Sequence, residues 1–501
     1  MKTLLDPSFE RNDLSNNLPK GWRLTSVGEL FHIIGGGTPS TKILEYWEGD
    51  IPWISSADIY GLKKIVPRRN INQNAISNSA ANLVPKGSII VVTRVSLGKI
   101  AISQIPISFS QDCHALIPKE GSIDPEFALY YLSQAVQSFK HQSRGTTIPG
   151  VTVKVLSSLL IPLPPLPEQH RIVARIEALL SQVNAACDRL NRVPLIMKRF
   201  RQAVLAAACS GRLTEGWREE NSDVEPANRL LQNITSERND LIKLNIIKPL
   251  KWAKNYNNPT EIFEIPDNWI WVSLGDLCHI IADGPHVSPQ YVSREGGIPF
   301  LSARNVKIDR FDLDTAKYIS KEDYEQFSTR INLKKGDILY TKGGTTGIAR
   351  VNDLDFPIHI WVHIAALRVS QKLLNPYYLA NTLNSRYCYE QSQMFTQGIT
   401  NHDLGLSRMV YIKFPLPPLP EQHEIVRHVD ALFALADQIE QQVAEATKRT
   451  DALTQAVLAK AFRGELVATE AELCRKDING NIDHEPPTQP AIYERKLYSK
   501  Q

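Results

Sequence analysis

The chain has 501 residues, 43% of them hydrophobic, and its 57 basic and 53 acidic side chains leave a formal net charge of +4. That length supplies two or three domains with real cores. No apolar run approaches the ~18 residues of a membrane span and MKTLLDPSFERND lacks a signal-peptide core, so a soluble, cytoplasmic protein is expected, its six cysteines reading as free thiols because no C-x-x-C pair exists; the near-balanced charge confines any nucleic-acid surface to a local patch.

In chain order, PKGWRLTSVGEL at 19–30 opens a first globular part, in which 88–92 (SIIVV) reads as a strand after a Lys-Gly turn and 125–137 as a helix. PLPPLPEQH follows at 162–170, its prolines holding the chain extended before a long helix that stops at Gly211. Residues 214–261 form a link with a short helix around 229–247. PDNWIWVSLGDL at 266–277, a strand at 337–340 and a helix at 376–384 then repeat the series, and PLPPLPEQH returns at 415–423 before a second long helix that stops at Gly464. The tail beyond Glu470 reads as flexible. The expected divisions are 1–160 and 263–412 as globular domains, 161–213 and 413–467 as long helices, 214–262 as linker and 468–501 as tail.

A nine-residue run does not recur by accident, so the chain is an internal duplication. Trp22 and Gly28 match Trp269 and Gly275 at an offset of 247, Gly87 and Gly98 match Gly336 and Gly347 at 249, Pro125 and Leu132 match Pro376 and Leu383 at 251, and Gly145 matches Gly398 at 253. From there to Leu213 and Leu466 the register never slips. A globular domain absorbs extra loop residues, whereas one residue lost from a helix would turn its apolar face by about 100°.

The helices carry a heptad seam. Ile172, Ile176, Leu179, Val183, Ala186, Leu190, Val193, Met197, Phe200 and Val204 step by 4 and 3, as do Ile425, Val429, Leu432, Ala436, Ile439, Val443, Ala446, Thr450, Leu453 and Val457. Pro167 and Pro420 suit a helix start, with Glu168 and Glu421 just inside it, where the dipole favours a carboxylate. Some 40 residues span roughly 60 Å. Pro194 lacks a donor and predicts a break in the first helix, absent from the second, where Thr447 matches it.

Catalytic tools are missing. Asn375-Pro376-Tyr377-Tyr378 superficially resembles the N-P-P-Y/F box of amino-methyltransferases but reads better as a helix cap. The glycine-rich runs at 35–40 and 343–347 fit neither a P-loop nor a dinucleotide fingerprint and read as turns. His359 and His363 lack an intervening glutamate and lie in a strand-like run. No catalytic, cofactor or metal residues are assigned.

With the duplicated unit, the PLPPLPEQHRIV and PLPPLPEQHEIV segments, the helix ends RQAVLAAACSGRLTEGW and TQAVLAKAFRGELV, and the opening GGGTPSTKILEYWEGDIPWISSADI in place, the chain resembles the specificity subunits of type I restriction-modification systems over nearly its whole length. The resemblance implies a mixed α/β (α+β) fold of two target recognition domains separated by two long antiparallel helices forming a coiled coil, a pseudo-two-fold repeat. It also implies a non-catalytic subunit that reads a bipartite site in double-stranded DNA. Two methyltransferase subunits and the restriction or motor subunits would join it, and S-adenosylmethionine, ATP and Mg would belong to those partners. An antiparallel helix pair would by itself place two similar readers on one ruler, as split half-sites demand.

Loops matched between copies but chemically different are the candidate readers. They are Arg94, Ser96 and Lys99 against Lys342, Thr345 and Thr346; Arg144, Thr146 and Thr147 against Gln397, Thr400 and Asn401; and Arg304 and Asn305, matched to Ala57 and Asp58. Arg takes guanine and Asn or Gln adenine through paired hydrogen bonds, while Lys and Thr serve phosphates. Two other classes stay open: an enzyme acting alone, as methyltransferase or nuclease, and a coiled-coil scaffold whose globular halves bind protein.

Overall fold

The computed structural model describes residues 18–142, 151–252, 263–398 and 402–479. The chain forms two compact units, one from Met1–Leu190 with Ala446–Gln501 and one from Asn191–Glu445. Neither boundary follows a globular part alone, because each unit takes a globular part together with pieces of both long helices.

In the principal sheet the duplication holds strand for strand. In the first unit a sheet runs in the order Phe31–Gly35, Cys113–Pro118, Ile89–Val92, Ile100–Ile102, all antiparallel, and in the second Ile280–Asp283, Ile364–Arg368, Ile338–Thr341 and Ala349–Val351 repeat it. A second sheet in each unit contains one parallel pair, Ile51–Ile54 with Ile107–Phe109, and Ile298–Leu301 with His359–Ile360. Strands Ile89–Val92 (IIVV) and Ile338–Thr341 (ILYT) are buried on both faces, which suits their largely apolar content. Helices Pro125–Gln142 and Pro376–Leu383 stand where they are expected. Asn375 caps the latter, its Oδ1 accepting from Tyr377 N at 2.9 Å, so the N-P-Y-Y run is a helix start.

Each proline-rich segment is a strand. Leu160–Leu163 pairs antiparallel with Arg23–Ser26, and Lys413–Leu416 with Ile270–Ser273. A two-stranded ribbon tolerates Pro162 and Pro415 because one edge of each strand needs no donor.

The first long helix comprises Leu166–Leu190 and Val193–Cys209, with Pro194 in the first turn of the second piece. The second is unbroken over Leu419–Phe462, 44 residues. Within each unit the helix pieces run antiparallel. Ile172 and Ile176 share a core with Leu458, Ala461 and Phe462, and Val204, Leu205 and Ala208 with Ile425 and Val429. Two expected seam residues are exposed, Ala186 and Leu453, the latter at 53%. A straight helix drifts about 20° per heptad against a strict seven-residue repeat, so after four heptads the buried stripe has moved from Leu453 and Val457 to Leu458, Ala461 and Phe462. Leu179, Val183, Leu190, Phe200, Leu432, Ile439, Val443 and Val457 are half-buried.

Beyond the second helix the described part of the tail is helical, Glu470–Asn479, where flexible chain was expected. The cause is a capping box, with Thr469 Oγ1 accepting from Glu472 N at 3.2 Å and Glu472 Oε2 accepting from Thr469 N at 2.9 Å. The linker helix is Ala227–Lys243, and its Ala227, Leu230 and Ile234 enter the second unit's core.

The run PLPPLPEQH, identical in both copies, ties each helix to its globular part. Glu168 and Glu421 are fully buried, and each accepts a tryptophan indole N–H at 2.8 Å, from Trp22 and Trp269. Gln169 and Gln422 accept from the backbone N of Asp124 and Asn375 at 2.8 and 2.9 Å and donate to the carbonyls of Pro164 and Pro417. His170 then reaches the Asp124 carboxylate at 3.3 Å and His423 the Asn375 amide at 3.0 Å.

Candidate nucleic-acid interface

In each unit a glycine-containing loop packs against a histidine, His114 in the first and His363 in the second, two residues apart in the repeat register. The loop after strand Ile89–Val92 holds Thr93, whose hydroxyl lies 2.8 Å from His114 Nδ1 and whose backbone N donates to the Asp112 carbonyl. Gly35 closes the other side, near enough that a Cβ on it would touch the same imidazole. Arg94 and Ser96 project from this loop into solvent, Ser96 with φ of 65°. Burial, and then the positive charge of Arg94, hold the His114 pKa below its ordinary value. Lys99 is half-buried and donates to the Ser56 carbonyl at 2.8 Å.

The matching loop of the second unit is built differently. Lys342 is only 4% exposed, its Nζ 2.6 Å from Asp403 Oδ1, 3.7 Å from Asp283 Oδ2 and 3.2 Å from the Val362 carbonyl. Asp283 also receives Arg330, and His286 at 3.3 Å. Lys342 therefore holds its loop in place and presents no ammonium to solvent. Thr345 is exposed, whereas Thr346 is buried. Thr346 Oγ1 and His363 Nδ1 are buried polar atoms without a hydrogen-bond partner among the described residues.

At the third matched pair, Arg304 is exposed and Asn305 is internal. Asn305 caps its own turn by accepting from Ser302 N at 2.9 Å, and donates to the Asp312 carbonyl at 3.0 Å. Asp58 does the same for Ser55 at 2.8 Å and adds an ion pair to Arg68. Gln397 is exposed and bridges to Asp403 through its backbone. Arg144, Thr146, Thr147, Thr400 and Asn401 lie outside the described residues.

The structure thus leaves Arg94, Ser96, Arg304, Thr345 and Gln397 free to face a ligand, and engages Lys99, Lys342 and Asn305 in internal contacts. The contact of Thr93 with His114 and the network of Asp283, Arg330, His286 and Asp403 escaped the sequence reading. His359 is buried, its Nδ1 accepting from Ile360 N at 2.9 Å, and His363 lies edge-on to Trp361, 5.2 Å between centroids.

A family model described as type I restriction modification DNA specificity domain matches residues 19–193 and 266–448. The chain is 31% identical over 351 residues to the specificity subunit of the type I restriction enzyme EcoBI of Escherichia coli, covering 70% of this chain and 67% of that one. It is 28% identical over 464 residues to the EcoDI specificity subunit of Escherichia coli, covering 91% and 90%. Among solved structures, it superposes on a chain from a study of the assembly and conformational transition of the type I R-M system with a TM-score of 0.60 and 22% identity, over 89% of this chain and 99% of that one. The HsdS subunit from Thermoanaerobacter tengcongensis gives 0.52 at 22% identity, over 89% and 98%. At this identity the two structures speak for the fold.

Proposed function

Because the chain belongs to the type I restriction-modification DNA specificity family, we propose that its two globular parts each read one half of a split, asymmetric site in double-stranded DNA. It is a DNA sequence-specificity subunit and not itself an enzyme. The observation that carries the two-reader assignment is the presence, on one repeated scaffold, of matched loops with different exposed chemistry: Arg94 and Ser96 in one unit, Thr345 with Arg304 in the other. Arg94 and Arg304 are the candidate base readers, since a guanidinium can take guanine O6 and N7 together. Ser96, Thr345 and Gln397 supply further polar contacts. Lys342 and Asn305 hold the loops that carry them, and the unplaced Arg144, Thr146, Thr147, Thr400 and Asn401 belong to the same proposed surface.

Two methyltransferase subunits dock on this chain and bring S-adenosylmethionine with the adenine chemistry; restriction subunits bring ATP and Mg. No helix among the described residues is long and apolar enough to cross a membrane, in keeping with a place beside the DNA in the cytoplasm. A comparison of host adenine methylation with and without this chain tests the reading. A bipartite methylated motif should vanish with the chain, and an unchanged methylome would refute it. Methylation by the purified chain alone would instead favour the stand-alone enzyme.

A further inference from the structure

The two units differ at one matched place near the start of their long helices. In the first, a short hairpin brings Lys63 between Glu126 at 2.7 Å and Glu177, with the ammonium 6.0 Å from the centre of the Tyr130 ring. Glu177 matches Asp430 and Glu126 matches Tyr377. The equivalent hairpin, closed by the Val306 and Phe311 bridge, is one residue shorter and places Asp309 where Lys63 stands. Leu62 and Ile308 precede them, and both carbonyls accept from the neighbouring strand, Leu62 from Ile102 N and Ile308 from the Arg350 guanidinium.

The exchange of lysine for aspartate leaves an opening in the second unit. A cavity of about 610 Å³ lies there, walled by Val193–Cys209, Pro376–Leu383, Leu419–Phe462 and the hairpin. Its charged lining has five carboxylates (Asp309, Asp353, Asp430, Asp437, Glu440) against three cations (Lys198, Arg201, Arg350). Arg201 is held by Glu440 at 2.9 Å and by Asp437 at 2.5 Å, Arg350 by Asp353 at 3.4 Å, and Asp309 pairs with its neighbour Arg310 at 2.6 Å. Asp430 has no ion-pair or hydrogen-bond partner among the described residues, and the groove walls raise its pKa by burial. Phe433, Leu205 and Ala380 provide apolar wall for a methylene stem. The repeat itself thus shows what this fold places between these helices when it closes the site in cis, a basic side chain on a carboxylate.

We propose that this cavity seats a lysine or arginine side chain of the methyltransferase subunit, which takes in the second unit the place Lys63 takes in the first. The proposal rests on the assembly described above. It makes the two docking sites of one chain unequal, because only the second needs a cation from its partner.

The test uses the full chain and the methyltransferase subunit of the same system, with binding followed by calorimetry. Asp309→Lys supplies the cation in cis and should weaken binding of the subunit at one site about tenfold, the scale of a half-buried ion pair, without lowering the melting temperature. Asp430→Asn, which removes the carboxylate without filling the cavity, should weaken the same site. Wild-type affinity in both variants would overturn the proposal while leaving the assembly intact. Weakening of both sites alike, or recovery of wild-type behaviour on displacing spermidine from the purified chain, would overturn it too, the second by assigning the cavity to a free polyamine. Failure of the wild-type chain to bind the subunit at all would overturn the assembly, and this assignment with it.

Discussion

Glu168 and Glu421 are matched residues with the same tryptophan partner, yet their surroundings differ. Glu421 also takes Thr214 Oγ1 at 2.7 Å and the Arg218 guanidinium at 2.6 Å, whereas Glu168 takes the backbone N of Glu470 at 2.9 Å. Glu421→Gln should therefore strand a largely buried guanidinium and cost about 3 kcal/mol, while Glu168→Gln loses one hydrogen bond and costs roughly 1 to 2 kcal/mol. Urea denaturation of the two variants checks the order, and equal losses would show that Arg218 contributes little. Arg94 offers a titration test. Arg94→Ala should raise the His114 midpoint, but not to the ordinary value because burial persists, as NMR of the imidazole can follow; the same variant should weaken DNA binding and relax one base position, by about 1 to 3 kcal/mol if it reads guanine. Lys342 shows why residue roles were only partly legible. A lysine in a glycine-rich loop reads as a phosphate contact, and nothing local reveals that Asp403, 61 residues on, has claimed it.

At the scale of elements, the helix ends are as specific as the seams. Gly211 and Gly464 have φ of 76° and 74°, and a Cβ on either would overlap a matched proline, Pro266 or Pro19. Alanine at either position should cost about 2 kcal/mol or more from the left-handed backbone and the clash together. Thermal melting of Gly464→Ala measures this, and a change within error would mean that Pro19 yields. One alanine inserted near Gln441 turns the following helix face by about 100° and should lower the melting temperature sharply, whereas an insertion at Asn191, already in the turn between helix pieces, should be tolerated. These elements were legible because proline, glycine and a 3-4 spacing act through neighbouring residues. The exposed Leu453 was not, since its fate depends on a drift that accumulates over the whole helix.

For the whole molecule, the duplication predicts independent halves of specificity. Exchanging the exposed residues Arg94 and Ser96 should alter one component of the methylated motif and leave the other and their separation unchanged, as sequencing of methylated adenines would show. The repeat was visible in nine residues, and with it the strand series, the helices and their antiparallel course within each unit. The sequence did not reveal that the units divide the helices between them. That division sets an order of synthesis. Residues 191–445 form one uninterrupted stretch and can close as soon as they emerge, but the core around Phe127 and Tyr131 needs Phe462, at 5.6 and 5.1 Å from their rings. At ribosomal rates of about 5 to 20 residues per second, the roughly 270 residues from Leu190 to Phe462 take on the order of 15 to 55 s. The domain made first is thus the last to be completed, and for tens of seconds its unfinished apolar face is the part of the nascent chain most in need of a chaperone.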